Sequence, residues 1–418
     1  MKVLWITNTI FPELAQALGQ KSPVVGGWMY SLAHDIIRKG VDLSVVTVRP
    51  NTQEIHHKID EIDFYLLEGQ KPILQYDSSL ENKWKKLISK IKPDVVHIHG
   101  TEYAHGLALV KTCPELKVVI SIQGMTSIYA RYYKGQLTFW QIFKNLTLKD
   151  VIRQNSILDA QRKFKKRGEK IEMGYLSQCQ HFIGRTQWDF DHVRSINPTA
   201  TYHFCNESLR NSFYSASKWN LENINRHTLF LSQALYPIKG LHKVLEALQI
   251  VRREYPTIQI RIAGMNITKY SSFMDKIRID GYGNYIRKII KQNDLQNLVH
   301  FTGPLDEKEM VREYLSCHAF ICPSSIENSP NSLGEAQLLG VPCIASYVGG
   351  IPDMVSHGET GLLYRFEEVE MLAQHIIRLF KDNTLAQSIS KAAIKLASLR
   401  HNRENNSTKT IAIYNNIK

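Results

Sequence analysis

The residues best suited to chemistry lie in one short segment, between positions 324 and 342. Glu327 and Glu335 are eight positions apart within it. Ser329 has the chemistry of an N-cap residue, and Pro330 fits the first helical position, where its missing N–H costs nothing. The segment therefore predicts a helix that begins beside Glu327 and contains Glu335.

The predicted helix has apolar positions at Leu333, Ala336 and Leu339, and Gly340 can end it in a left-handed cap. Glu327 then lies just before the amino-terminal end of a helix, whose free N–H groups favour a phosphate. Glu335 lies under two turns further along the chain, inside the helix. The helix start can hold a diphosphate while the carboxylates accept hydrogen bonds from sugar and ribose hydroxyls, which suits a nucleotide-sugar. The alternative is a well-capped surface helix with two incidental glutamates.

Length and composition indicate a globular protein of two or three domains, with 418 residues, 43% hydrophobic and 22% charged. No apolar run is long enough to span a bilayer, and residues 1–7 predict a first buried strand rather than a signal peptide. The six cysteines include no Cys-x-x-Cys pair, and no partner pair stands at zinc-ligand spacing. They indicate small buried side chains in a reducing compartment, which favours a cytoplasmic location.

The formal net charge of +13 is partly local. Residues 144–170 hold nine lysines and arginines against three acids, Asp150, Asp159 and Glu169. Such a face attracts anionic lipid headgroups, so peripheral contact with an anionic membrane, at its inner face, and a merely solvated helix face are equally favoured. No recognised nucleic-acid-binding module is present, so we expect no nucleic-acid partner.

Strands alternate with helices along the chain, which predicts an α/β fold of two doubly wound, Rossmann-like domains facing a central cleft. The amino-terminal domain spans residues 1–215 and carries a helical, basic insertion at about 125–175. A polar linker lies between 211 and 225, and the second domain covers 226–395. Residues 396–418 form a terminal helix.

Ligands of open α/β sheets bind at the carboxyl ends of the strands. The candidate elements of this chain all follow predicted strands, and their joint placement is the argument for a site. They are Gly26-Gly27, His99-Gly100, Gln123-Gly124, Lys239-Gly240, Gly264 and Glu327.

Several motifs in the second half occur in an order and spacing that is similar to one family. They are Tyr236-Pro237-Ile238-Lys239-Gly240, Ile262-Ala263-Gly264, Val299-His300-Phe301-Thr302-Gly303, Cys322-Pro323-Ser324, Glu327 to Glu335, Gly349-Gly350-Ile351-Pro352-Asp353 and Gly358-Glu359-Thr360-Gly361-Leu362-Leu363. In these motifs the chain resembles the retaining GT-B glycosyltransferases of family 4, the glycosyl transferases group 1. The resemblance is specific over 228–365 and loose over 1–125, and it does not cover the insertion.

The resemblance implies transfer of a sugar from a nucleotide-diphosphate donor to a hydroxyl of a glycan or lipid-linked acceptor, with retention and without a metal or other cofactor. It implies that the second domain binds the donor and that the last helix packs on the first domain. The implied catalytic residues are Lys239, at the diphosphate, and Glu327, at the sugar hydroxyls near the anomeric carbon. The other implied donor-binding residues are Gly26, Gly27, Gly264, Asn331, Ser332, Leu333 and, at the ribose, Glu335. We place His99 and Gln123 on the acceptor side. No Asp-x-Asp motif suited to a nucleotide-bound cation is found.

Two positions depart from the family pattern. Ala234 stands five residues before Lys239, where an arginine is usual, and Gln123 stands where many members have a histidine. Arg185 or Arg210 are candidates for the missing cation. The departures leave a second hypothesis open, a non-catalytic relative that binds a nucleotide-sugar or supports a partner transferase.

Overall fold

The structure, a computed structural model, describes residues 1–23, 26–70 and 75–418. It divides into two compact units. Unit 1 comprises Met1–Ile128, Phe164–Arg210 and His401–Lys418, and unit 2 comprises Tyr129–Lys163 and Asn211–Arg400.

Strands occur where the sequence has short β-branched or aromatic runs between turn residues. In chain order they are β1 Lys2–Thr7, β2 Asp42–Arg49, β3 Ile55–Ile59, β4 Ile62–Glu68, β5 Val95–His99, β6 Val118–Ser121, β7 His181–Gly184, β8 Thr201–Phe204, β9 Thr228–Leu231, β10 Gln259–Ala263, β11 Val299–Gly303, β12 Ala319–Cys322, β13 Cys343–Ser346 and β14 Leu362–Tyr364.

Unit 1 holds a sheet with strand order β3-β4-β2-β1-β5-β6-β7-β8, and unit 2 holds one with order β11-β10-β9-β12-β13-β14. The described strand pairs are parallel except β3–β4, which is antiparallel. The sequence analysis did not anticipate the β3–β4 hairpin, because β3 exposes three polar residues in a row and lies at the sheet edge. The α/β class and the two parallel-sheet domains are confirmed.

The helices cover the sheets and connect their strands. They are α1 Pro12–Ala17, α2 Gly27–Arg38, α3 Leu80–Ile91, α4 His105–Thr112, α5 Thr126–Tyr132, α6 Phe139–Phe143, α7 Leu148–Arg153, α8 Ile157–Arg167, α9 Met173–Gln178, α10 Gln187–Ile196, α11 Asn211–Ser215, α12 Leu241–Val251, α13 Phe273–Arg278, α14 Gly281–Gln292, α15 Glu307–Ser316, α16 Asn331–Leu339, α17 Val369–Lys381, α18 Asn383–Arg400 and α19 Arg403–Ile417. Among the described residues, none of these helices combines the length and the apolar character that a bilayer-spanning segment needs.

The insertion is grouped differently from the sequence prediction. Its residues 129–163 belong to unit 2, whereas the sequence analysis placed the whole of 125–175 in the amino-terminal domain. The physical reason is a set of polar contacts with unit 2 that no sequence pattern reveals. The Ser325 hydroxyl donates to the Tyr132 carbonyl oxygen at 3.0 Å, and His242 Nε2 lies 2.8 Å from the Gly135 carbonyl oxygen.

The chain end returns to unit 1. Helix α19 packs against α2, and Arg403 forms two hydrogen bonds with Asp35 of α2, at 2.7 and 3.0 Å. The Tyr414 hydroxyl is buried in the core of unit 1, where it accepts a hydrogen bond from Trp5 Nε1 at 3.0 Å and lies 2.6 Å from His97 Nδ1. All six cysteines are buried and free, as the sequence predicts.

We predict that Tyr414→Phe lowers the free energy of unfolding by about 1–3 kcal/mol, because it leaves a buried indole N–H and an imidazole nitrogen without their partner. Urea unfolding followed by circular dichroism measures the change. The control is Tyr347→Phe, since Tyr347 is exposed and removal of its hydroxyl leaves no buried group without a partner. Equal stability of the two variants would contradict the prediction.

Candidate functional site

The order of the unit 2 sheet brings two distant loops together. Strand β9 pairs with β12, and the strand order runs in opposite directions on either side of this pair. The loops that leave β9 and β12 therefore begin side by side at the carboxyl edge of the sheet, the usual ligand position in open α/β sheets. Lys239 lies on the first of these loops and Glu327 on the second.

The two loops approach each other backbone to backbone. Gly240 has φ +68°, and a Cβ built on it would lie 1.8 Å from the Pro323 carbonyl oxygen. The Ser325 N–H donates to the Ile238 carbonyl oxygen at 2.7 Å. Only glycine fits at position 240, since any side chain would force these loops apart.

Lys239 and Glu327 form an ion pair, with both side chains largely buried. Glu327 Oε1 also accepts a hydrogen bond from the Ser324 hydroxyl at 2.9 Å. Burial alone lowers the pKa of Lys239, but the adjacent Glu327 carboxylate and the Tyr236 hydroxyl outweigh burial, and the net pKa is raised above its ordinary value. Lys239 is therefore a permanent cation at the sheet edge. The structure brings together the two residues that the sequence analysis placed at the centre of the site.

A second glycine fixes the backbone of Glu327. Gly349 has φ +52°, and a Cβ there would lie 1.9 Å from the Glu327 carbonyl oxygen. The same oxygen accepts a hydrogen bond from the Gly350 N–H at 3.0 Å. The Gly349-Gly350 pair therefore positions the catalytic candidate, although it does not offer a side chain of its own.

The predicted start of the glutamate helix is wrong by one residue. Helix α16 begins at Asn331, with Pro330 rather than Ser329 as its N-cap. The Ser329 hydroxyl lies instead 3.5 Å from Met354 Sδ and accepts a hydrogen bond from Arg400 Nη2 at 3.1 Å. Because a proline side chain has no acceptor, α16 has no side-chain cap at its start, and helix starts of this kind are common anion-binding positions.

The remaining donor-binding candidates of this loop lie on α16. Asn331 and Ser332 occupy its first turn, and the Leu333 N–H donates to the Pro330 carbonyl oxygen at 3.0 Å. Glu335 is buried, one turn further along the helix. Gly340 has φ +83° and ends the helix in the left-handed conformation, as the sequence predicts. Unlike the predicted one-sided helix, α16 is buried on all sides from residue 333 to residue 339.

Gly264 follows β10 in the same sheet, with φ +104°, and a Cβ there would meet nothing within 4 Å. Its N–H donates to the Gly303 carbonyl oxygen at 2.9 Å. Gly264 is therefore a turn position at the same sheet edge, with open space beside it for a ligand.

Tyrosines of the insertion border the Glu327 loop. The Tyr129 hydroxyl accepts a hydrogen bond from the Asn328 N–H at 3.1 Å. Tyr133 stacks on Tyr236 with ring centroids 6.3 Å apart, and Tyr236 lies 5.9 Å from Lys239 Nζ. A cavity of about 210 Å³ lies beside Tyr133 and Tyr236. The sequence alone does not show that these tyrosines lie beside the Glu327 loop, because no pattern connects residues 100 or more positions apart.

The other two glycine candidates lie in unit 1. Gly26 has φ +92° and is the N-cap of α2, and Gly27 is its first residue. A Cβ on Gly27 would lie 2.6 Å from Arg210 Cγ. The Arg210 side chain thus crosses directly over Gly27, which explains the need for a small residue there.

The acceptor-side candidates are also in unit 1. His99 is 2% exposed, packed between Trp5 and Trp28, and burial lowers its pKa well below the ordinary value. Gln123 Nε2 donates to Glu207 Oε1 at 2.8 Å. Glu207 also forms an ion pair with Arg185, so this arginine has a carboxylate partner within unit 1.

No group of three or more His, Cys, Asp or Glu side chains that could hold a metal ion occurs in the part of the chain that the structure describes. The Asp-x-Asp spacing does occur once, at Asp189-Phe190-Asp191. Both acids lie in α10, where Asp189 is buried and caps the helix start through a reciprocal pair of hydrogen bonds with Thr186.

Two family models match the chain. The model of the glycosyl transferases group 1 matches residues 216–396, and that of the glycosyl transferase 4-like proteins matches residues 22–153. The first covers the whole unit 2 sheet with Lys239, Glu327 and Glu335.

Curated relatives match over shorter stretches. The N-acetyl-alpha-D-glucosaminyl L-malate synthase of Bacillus anthracis is 33% identical over 109 residues, which is 26% of this chain and 28% of the relative. The amylovoran biosynthesis glycosyltransferase of Erwinia amylovora is 28% identical over 150 residues, 34% of this chain and 37% of the relative. The aligned segments thus span about a third of these relatives.

Solved structures match over the full length. A sucrose-phosphate synthase from Thermosynechococcus elongatus has a TM-score of 0.69 at 16% identity, covering 100% of this chain and 99% of the other. The Anabaena protein HepE, solved in complex with UDP-glucose, has a TM-score of 0.64 at 15% identity, covering 99% and 100%. At this identity the likeness shows the fold. The two family models and the shared motifs place the chain in family 4, the glycosyl transferases group 1, and the solved structures agree with the GT-B fold.

Proposed function

We propose that this chain is a retaining glycosyltransferase that moves a hexose-type sugar from a nucleotide diphosphate to an acceptor hydroxyl. The observation that carries the proposal is the buried Lys239–Glu327 pair, held beside the start of α16 at the carboxyl edge of the unit 2 sheet. The site offers a permanent cation, a carboxylate and a helix start within two adjacent loops.

The proposed donor fits this set of groups by charge. As the sugar leaves, negative charge grows on the β-phosphate oxygen, and Lys239 with the first N–H groups of α16 stabilises it. The sugar carbon becomes electron-poor, and the Glu327 carboxylate offsets that charge. Glu335, further along the same helix, is assigned to the ribose hydroxyls. The positive charge comes from the protein, which supports transfer without a metal.

Transfer breaks the bond between the anomeric carbon and the β-phosphate oxygen, and that oxygen keeps the electron pair. The acceptor oxygen bonds to the same carbon and loses its proton. The His99 ring is buried and Gln123 has no basic group, so neither is assigned this proton. We assign it to the departing phosphate, whose new charge makes it a base on the side where retention requires the acceptor.

The named relatives suggest a biological setting. The relative from Erwinia amylovora takes part in amylovoran biosynthesis, and HepE binds UDP-glucose. For this chain we propose a role in the synthesis of a bacterial cell-surface polysaccharide or glycoconjugate, with a glycan or lipid-linked acceptor.

Ala234 and Gln123 favour the second candidate function, a non-catalytic relative that binds a nucleotide-sugar. Ala234 is buried and supplies no cation beside Lys239. Incubation with a panel of nucleotide-sugars distinguishes the two, because slow release of the nucleotide reports turnover. Binding of a nucleotide-sugar without turnover, across all donors and acceptors tested, would favour the non-catalytic function.

We predict that Lys239→Ala and Glu327→Ala each lower transfer at least about a hundredfold, the scale of losing one preorganised charged contact. The rate of nucleotide release with the best donor of the panel measures the loss. Lys391→Ala, at an exposed position on α18, is the matched control and keeps the wild-type rate. A near-normal rate in either site variant would remove that residue from the mechanism.

Gly349→Ala is predicted to weaken donor binding, because the new Cβ meets the carbonyl oxygen of Glu327 and displaces this residue. It also lowers the free energy of unfolding by about 1–3 kcal/mol through overpacking. Gly358→Ala is the control, since it shares the positive φ but meets nothing within 4 Å. Donor titration and thermal unfolding are compared for both. If the two variants bind the donor equally well, Gly349 does not position Glu327.

Metal independence is tested by dialysis against EDTA. We expect the transfer rate to stay unchanged, because Lys239 and the helix start carry the charge of the leaving diphosphate. A loss of activity that Mg²⁺ or Mn²⁺ restores would overturn this part of the proposal.

A further inference from the structure

Helices α6 and α7 of unit 2 expose an apolar surface that the proposed transfer reaction does not use. Their large exposed side chains, called the apolar ridge here, are Phe139, Trp140, Phe143, Leu148, Val151 and Ile152. Exposure reaches 73% for Leu148 and 79% for Ile152. So many large, exposed apolar side chains on two consecutive helices are uncommon on a protein that meets only water, and they mark a surface that another phase or partner covers.

Some polar side chains of the same segment are directed into unit 2. Asp150 of α7 is 2% exposed, and its Oδ2 accepts hydrogen bonds from the N–H and the hydroxyl of Thr147, both at 2.9 Å. Gln141 of α6 donates to the Tyr285 hydroxyl at 3.0 Å. Asp150 and Gln141 are thus turned towards unit 2 while the large apolar side chains of the ridge face outward, the reverse of an ordinary surface helix pair.

Unit 2 holds this inverted arrangement in place. The Thr147 hydroxyl lies 3.0 Å from the Ile279 carbonyl oxygen, Lys149 pairs with Asp280 at 3.4 Å, and Lys288 donates to the Lys144 carbonyl oxygen at 3.2 Å. Because these contacts attach α6 and α7 to the start and middle of α14, the ridge cannot turn inward without breaking them.

A neighbouring helix enlarges the same surface. Helix α13 packs against α7 and has no buried residue. Its Phe273 is 76% exposed, and Met274 and Ile277 are exposed as well.

The charges around the ridge indicate what covers it. Within residues 139–153 the bases are Lys144, Lys149 and Arg153, of which Lys149 pairs with Asp280, and the single acid is the buried Asp150. Helix α13 adds Lys276 and Arg278 against Asp275. An apolar face with exposed tryptophan and phenylalanine, bordered by bases, fits the interface of an anionic lipid bilayer.

We propose that the apolar ridge, together with α13, docks this chain onto an anionic lipid bilayer, with the ridge at the boundary between headgroups and acyl chains. The surface differs from the purely electrostatic face expected for residues 144–170, because burial of apolar side chains adds to the attraction of the bases. Docking does not depend on the donor chemistry, so it can be tested without a nucleotide-sugar.

Co-sedimentation with vesicles of phosphatidylcholine, with or without phosphatidylglycerol, is the test. We expect the full chain to bind the anionic vesicles, with Leu148→Gln/Ile152→Gln at least about tenfold weaker, the scale of losing two buried aliphatic side chains. Leu399→Gln, an exposed leucine on α18, is the matched control and binds like the wild type. Equal binding of the double variant and the wild type would overturn the proposal.

The contribution of the basic residues and the depth to which the ridge enters the bilayer are tested separately. Lys144→Glu/Arg153→Glu is expected to weaken binding and reduce its salt dependence, whereas Lys391→Glu changes neither. Vesicles are expected to shift the tryptophan fluorescence to the blue, and Trp140→Phe to remove most of that shift.

The rival occupants give different results. Equal binding to neutral and anionic vesicles would refute the role of anionic lipid, and binding to neither would refute the lipid assignment. A dimer that light scattering detects without lipid, and that Leu148→Gln/Ile152→Gln dissociates, would assign the ridge to a second copy of the chain instead.

Discussion

The candidate site depends on one buried ion pair, Lys239 with Glu327. A buried charge is costly unless a partner and hydrogen bonds compensate for it, and each of these residues is the other's partner. The pair forms because β9 and β12 are neighbours in the sheet, which brings the loops that follow them to the same edge. A diphosphate bound there would meet a cation that is already desolvated and already positioned, so little reorganisation is needed during transfer.

The Lys239–Glu327 pair in turn depends on two positions at which no side chain fits. Gly240 lies against the Pro323 carbonyl oxygen and Gly349 against that of Glu327, so the loops contact each other without side chains between them. In the proposed reaction, catalytic and supporting roles are thus divided. Lys239 and Glu327 supply charge, and the glycines determine where that charge lies.

The insertion has two distinct parts within unit 2, one beside the candidate site and one at the surface. Its Tyr129 and Tyr133 lie against the loops that carry Asn328 and Tyr236. On α7, Asp150 is buried whereas Ile152 is exposed. A segment with a buried carboxylate and a row of exposed apolar side chains needs a scaffold to hold it and a non-aqueous surface to cover it. Helix α14 provides the first, and we assign the second to lipid.

The sequence by itself determined the alternation of strands and helices, the end of α16 at Gly340, and the choice of Lys239 and Glu327 as candidate site residues. Local propensity, turn residues and motif spacing carry this information, because they act over short stretches of chain. It misplaced the start of α16, because the Ser329 hydroxyl finds Arg400, 71 positions away, in place of the helix N–H groups. Only the tertiary structure decided that the insertion joins unit 2 and that its apolar face stays outside. Both depend on hydrogen bonds between residues more than 100 positions apart, and such contacts leave no periodic signal in the sequence.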